Sequence, residues 1–229
     1  MVPQQSPAWH NARMTTELAA TVVADVRHWL EQAVIGLNLC PFAKATYVKE
    51  QVHYAVCGAQ TEDEALQAVH DELIALMETP MEERETTLMI FPAMFDDFLY
   101  FNDFAGAADD ILADLGLEGE LQIAYFHPRF QFDGTEPEEI SNATNWAPYP
   151  ILHLLREESI DRAVETYPEV DDIPDRNIEL LEHLGVEGWN KLGIVTRVSA
   201  DEWVKQCPVH GQAPADDAQD KQEGEDHHG

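Results

Sequence analysis

Positive charge is what this chain most lacks. Its 13 Lys and Arg stand against 44 Asp and Glu, a formal net charge of −31. Residues 201–229 carry −6 of that, so −25 is spread over the first 200 residues. A surface of this sign repels phosphate backbones, which argues against general nucleic-acid binding. Only five lysines and so broad an acidity fit a halophilic host that keeps its proteins soluble at raised salt.

Long apolar runs are missing too. No stretch approaches the roughly 18 apolar residues that would span a bilayer. The first 14 residues, MVPQQSPAWHNARM, contain no signal-peptide core, so a cytoplasmic protein without a membrane partner is expected. Cysteine is sparse: Cys40, Cys57 and Cys207 are odd in number, widely spaced and form no CxxC pair, as expected in a reducing compartment. There is no GxGxxG after a strand, no GxxxxGK[ST] and no GxSxG. Classical dehydrogenases, P-loop hydrolases and serine hydrolases all lose ground by those absences.

What remains is an ordinary globular composition, 45% hydrophobic over 229 residues, enough for one well-packed domain. Residues 1–14 are expected to be disordered, 15–199 to form a single α/β domain, and 200–229 to be an acidic disordered tail. Thr15 or Thr16 can cap a helix reaching about Leu37, with Leu18, Val22, Val26, Trp29 and Ala33 on its apolar stripe. Gly36, Asn38 and Pro41 end it. A strand is expected over 47–57. Thr61 and Glu64 then open a second helix through a capping box, with Leu66, Val69, Leu73 and Leu76 inside.

TTLMIFPA (86–93) is a short apolar strand. Phe98, Phe101, Ala105, Ala108, Leu112 and Leu115 mark a third helix, closed by Gly116. LQIAYF (121–126) is a third strand, and two more helices are expected at about 149–166 and 175–184. This alternation predicts a small layered α/β sheet of three or more strands joined by crossover helices. A ferredoxin-like α+β arrangement is the alternative, and it needs one more strand.

The chemistry-bearing segment is FHPRFQFDGTEPEEISNATNWAPYPILHLLRE (126–157). His127 falls at the exit of the third strand, where ligands of open α/β sheets tend to sit. A loop of this length inside a compact domain is uncommon and often functional. As a helix, 149–166 would put His153, Arg156 and Glu157 on one stripe.

GLNLCPFA (36–43), FHPRFQF (126–132) and TNWAPYPILHLLRE (144–157) together resemble a bacterial family known as domain of unknown function 1415, over about residues 18–185. Where the family pattern has Arg-Ser after that Thr-Asn, this chain carries Trp146-Ala147, so no basic group is expected at 146. The resemblance implies no particular activity.

From the residues alone, the leading expectation is a small-molecule enzyme acting on an anionic carboxylate or phosphate by hydrolysis or group transfer. His127 would transfer protons, His153 would be a second acid/base or orienter, and Glu157 would orient one of them. Arg129 and Arg156 would clamp the anion, with Asn142, Thr144 and Asn145 contacting it or building turns. Cys40 is a candidate nucleophile or ligand, against the ordinary reading of cysteine as a buried residue. The runner-up is a metal or haem protein using His127 and His153, with Cys40 or Glu157 as a third ligand. Glu179 and His183, one turn apart, are a weaker metal pair. A non-catalytic protein-binding module is the third possibility.

Overall fold

The computed structural model describes residues 16–166 and 170–196. The expectations for residues 1–14 and 200–229, Cys207 among them, lie outside these residues.

The first helix is built as expected but changes pitch midway. Thr16–Trp29 is α1, with Val22, Val26 and Trp29 buried, and it runs without a break into a π-helix at Leu30–Ile35. Gly36 follows because a Cβ there would lie 2.4 Å from the carbonyl oxygen of Gln32 and 2.8 Å from that of Glu31. Residues 47–57 do not form one strand: Ala43–Val48 is a short helix, α2, and only Val52–Val56 is extended, as β1. Helix α3 spans Glu62–Glu78, and the Thr61 hydroxyl accepts from the Glu64 amide at 3.3 Å as the capping signal requires. Strand β2 is Thr86–Ile90, α4 is Phe98–Asp114 and β3 is Leu121–Phe126.

The expectation of a helix at 149–166 is wrong over its first half. Ile151–Arg156 is a strand, β4, and only Glu157–Thr166 is helical, as α5. A continuous apolar run such as ILHLL suits a buried strand and a buried helix equally well. The sheet decides between them, because β4 lies between β2 and β3 and pairs antiparallel with both. The last helix, α6, is Ile173–Lys191, broken at Gly185, whose φ of 64° and ψ of 173° form a backbone conformation open essentially to glycine alone.

The result is an α/β fold on a four-stranded mixed sheet of order β1-β2-β4-β3, with β1 and β2 parallel neighbours joined through α3. The extra strand that a ferredoxin-like fold needs is present, but the chain order β-α-β-α-β-β is not that of the β-α-β-β-α-β motif. One face of the sheet, with Met89, Leu121, Ile123, Leu152 and Leu154, packs against α3 and α4. The opposite face, with Leu88, Ile90 and Ile151, packs against Val22, Val26 and Trp29 of α1 and against Leu181 and Trp189 of α6. Each fully buried Leu on these faces stabilises the fold by about 1.5–3 kcal/mol. No helix of the described residues is long and apolar enough to cross a membrane.

Candidate functional site

Strand periodicity, not helical periodicity, governs the segment on which the sequence concentrates its polar groups. Side chains two apart share a face and side chains three apart do not. His153 therefore projects toward α1, while the Arg156 guanidinium serves the α3 side, where its Nη2 donates to the carbonyls of Leu76 (2.5 Å) and Thr79 (2.7 Å) at the end of α3. The expected His153–Arg156–Glu157 stripe is not assembled. Glu157 opens α5, with its amide donating to the Glu120 carbonyl at 3.0 Å.

His127 sits on the α4 side of the sheet, wholly buried, its ring stacked on Phe101 with centroids 5.4 Å apart. The Arg129 amide donates to its Nδ1 at 2.9 Å, so the proton must be on Nε2, which donates to the Phe95 carbonyl at 2.8 Å. Both nitrogens are thus engaged by backbone. Burial lowers the pKa of His127, against the opposing pull of the Phe95 carbonyl. Phe95 itself has φ of 66°, a strained conformation for a bulky aromatic residue, and the imidazole fixes its carbonyl. This geometry makes His127 a brace for the β2–α4 connection.

The other long-loop residues also hold structure. Asn142 is fully buried, its Oδ1 accepting from the Phe132 amide (3.0 Å) and the Thr135 hydroxyl (2.8 Å), its Nδ2 donating to the Glu136 carbonyl (2.8 Å). The Thr144 hydroxyl donates to the Ser141 carbonyl at 3.1 Å, and Asn145 Nδ2 to the Tyr125 carbonyl at 3.2 Å. Arg129 is exposed. At position 146 the indole NH donates to the Phe130 carbonyl at 2.9 Å, and the ring meets Trp189 edge-on. His183 Nδ1 contacts the Glu179 backbone carbonyl at 2.7 Å, not the Glu179 carboxylate. His127 and His153 lie on opposite faces of the sheet and cannot share a metal or a haem. Among the described residues, no group of three His, Cys, Asp or Glu is close enough to hold a metal ion.

The structure does build a cavity, on the other face and toward the other end of the parallel strands. A cavity of about 280 Å³ opens where β2 begins and β4 ends, under α1, the π-helix, α2 and α5. Its walls are chiefly apolar: Trp29, Leu30, Val34, Phe42, Leu88 and Phe126 are prominent. Polar groups are few, namely Cys40, Thr46, Tyr47, Glu85, Thr86, His153, Arg156 and Ser159.

His153 is among the residues that line this cavity. Its Nε2 lies 2.7 Å from the Thr86 hydroxyl, which itself donates to the Leu154 carbonyl at 2.7 Å. A hydroxyl has one proton, so Thr86 accepts from Nε2–H and leaves Nδ1 as an acceptor. Nδ1 has no hydrogen-bond partner among the described residues, and His153 lines the cavity. Desolvation alone pushes the pKa of His153 down to about 4, and the ring is neutral near pH 7. The surface it retains is cavity wall, which is why it is desolvated without being fully covered.

Of the sequence candidates, the fold brings together His153, Cys40 and the edge of Arg156. Sequence reasoning missed Thr86, Glu85, Trp29 and Tyr47. The one local signal that could have found them is Gly36, which the π-helix needs. Such helices are rare and frequent at functional sites, and here the π-helix and its flank supply Trp29, Leu30 and Val34 to the cavity. The three segments that carry the family resemblance converge on the same place, through Cys40, Phe42 and Ala43, through Phe126, and through His153, Leu155 and Arg156.

Compared with known proteins, the chain matches no curated protein and no solved structure. A family model matches residues 21–191, most of the chain, and the protein belongs to the family described as "Protein of unknown function (DUF1415)".

Proposed function

We propose that the protein binds a small, largely apolar molecule in the cavity between the sheet and the α1–α2–α5 layer, with His153 as its polar anchor. The observation that carries this is a neutral imidazole, held in one tautomer by Thr86, whose other nitrogen has no partner among the described residues in the wall of a chiefly apolar chamber. Ligand sites are typically concave and apolar with a few placed polar groups, and at about 280 Å³ this one suits a small ligand.

An anionic ligand has less support than the sequence suggests. Arg129 points to solvent, and Arg156 Nη2 is taken up by the carbonyls at the end of α3. The two-arginine clamp expected for a carboxylate or a phosphate is therefore not part of this reading. Enzymatic turnover is a second form of the same reading, favoured by the Cys40 thiol sharing the cavity wall with His153. In that form Cys40→Ser abolishes turnover and leaves binding unchanged.

The test is a ligand-observed NMR and thermal-shift screen of uncharged fragments against the full chain and against Ala43→Trp, which fills the cavity from α2. Fragments that bind the wild type and are lost in the filled variant are expected. If every hit binds both proteins equally, the cavity is not the ligand site.

A further inference from the structure

Two of the polar groups that line the cavity have accepting capacity to spare. His153 Nδ1 can only accept, because its neighbour Nε2 carries the proton. Glu85, immediately before β2, adds a carboxylate, whose one hydrogen bond among the described residues is a long one of 3.4 Å from the Thr46 hydroxyl. No Lys or Arg nitrogen among the described residues lies within ion-pair distance of Glu85, and Arg156 acts on it only at longer range. Beside its hydroxyl groups and the edge of Arg156, the chamber thus holds two acceptors, one of them a carboxylate without a bonded cation among the described residues.

The walls suit a cation as well. Trp29, Phe42, Tyr47 and Phe126 are aromatic, and aromatic faces attract ammonium groups. The whole molecule, at −31, raises the local concentration of cations and lowers that of anions. A neutral histidine with a lowered pKa does not compete by becoming positive itself beside a bound cation.

We infer that the ligand of this cavity is a small apolar amine, bound as its ammonium ion between the Glu85 carboxylate and His153 Nδ1, with its hydrocarbon part against the aromatic wall. This rests on the cavity being the ligand site. It names the chemical class that the site selects: a hydrogen-bond donor with positive charge on a compact apolar skeleton. Charge-assisted hydrogen bonds are roughly twice as strong as neutral ones, so the ammonium supplies most of the selectivity.

Three probes of one skeleton test it: phenethylamine, phenethyl alcohol and phenylacetate, titrated calorimetrically into the full-length protein, Glu85→Gln and Ala43→Trp. The amine is expected to bind at least about tenfold more tightly than the alcohol, a difference of about 1.4 kcal/mol. Phenylacetate is expected not to bind. Glu85→Gln is expected to weaken the amine about tenfold and leave the alcohol unchanged, which also shows that the variant is folded. If the alcohol binds as tightly as the amine, or if Glu85→Gln leaves the amine untouched, the amine assignment is overturned and the cavity remains a ligand site. If no probe binds in a way that Ala43→Trp abolishes, the cavity reading falls and the amine with it.

Discussion

Replacing His127 with alanine separates a structural histidine from a catalytic one, and its cost can be worked from the contacts. The substitution removes a donor from the buried Phe95 carbonyl and an acceptor from the Arg129 amide. An orphaned buried backbone group costs about 1–3 kcal/mol, and the partly solvated Arg129 amide belongs at the low end because water can replace the ring. The void left beside Phe98 and Phe101 adds on the order of 2–3 kcal/mol. Together that is about 4–7 kcal/mol, a large part of the roughly 5–15 kcal/mol that holds an average domain together. Urea unfolding at pH 8 followed by circular dichroism measures it. His127→Gln, whose amide can still donate to Phe95, should lose about half as much. Because the cavity lies on the other face, phenethylamine affinity should be unchanged in His127→Gln.

The pH dependence of that difference is a second readout. The folded-state pKa of His127 is lowered, so its stabilising contribution is complete above the unfolded value of about 6.5 and is lost as pH falls below it. Each such histidine costs up to about 1.4 kcal/mol per pH unit in that window. His153, with its pKa at about 4, imposes the same trend on wild type and variant alike. The gap between wild type and His127→Ala should therefore narrow between pH 7 and pH 5. A variant within about 1 kcal/mol of wild type at pH 8, or a gap that widens in acid, would refute the assignment of His127 as a brace.

Gly36→Ala should destabilise the protein by about 1–3 kcal/mol, because its Cβ would lie 2.4 Å from the Gln32 carbonyl oxygen and the π-turn must shift. Chemical denaturation gives the stability, and phenethylamine affinity should fall with it as Trp29, Leu30 and Val34 move. Glu72 and Arg84 form a buried ion pair, with Arg84 Nε also donating to Thr87 at 2.8 Å. Arg84→Met alone should cost about 3–5 kcal/mol in urea unfolding, whereas adding Glu72→Leu should recover most of it, since no buried charge is then left unpaired. The acidity of the chain predicts a rise in Tm as NaCl is raised from low to molar concentration, measured by calorimetry, as screening relieves repulsion among its acids. An unchanged Tm would remove the case for adaptation to salt.

Helices α3 and α4 are legible in the amino-acid sequence because their signals are local: the Thr61 cap with Glu64, and apolar positions from Phe98 to Leu112 repeating at helical spacing. Strand β3 is legible at both ends, and Gly185 marks the point where the first stretch of α6 closes. Composition alone sets the charge and argues against a nucleic-acid partner.

The identity of β4 is not local. ILHLL is apolar at nearly every position, so neither period stands out, and it becomes a strand because β2 and β3 leave a slot that only an extended segment fills. That one outcome rearranges the chemistry. With a period of two, His153 and Arg156 part to opposite faces, and the His153–Arg156–Glu157 stripe that a helix would have assembled does not form. The π-helix is likewise written only faintly, in a glycine at 36 that local rules read as a helix stop.

The residue types of the site are thus set by the sequence, along with the helices that frame it. Their meeting is not. Cys40, the adjacent Glu85 and Thr86, and His153 come from three separate stretches of the chain and meet only when the sheet closes under α1 and α2. Local propensity acts over a few residues, whereas a cavity is what is left over when distant elements pack, and only the packed structure determines which side chains face it.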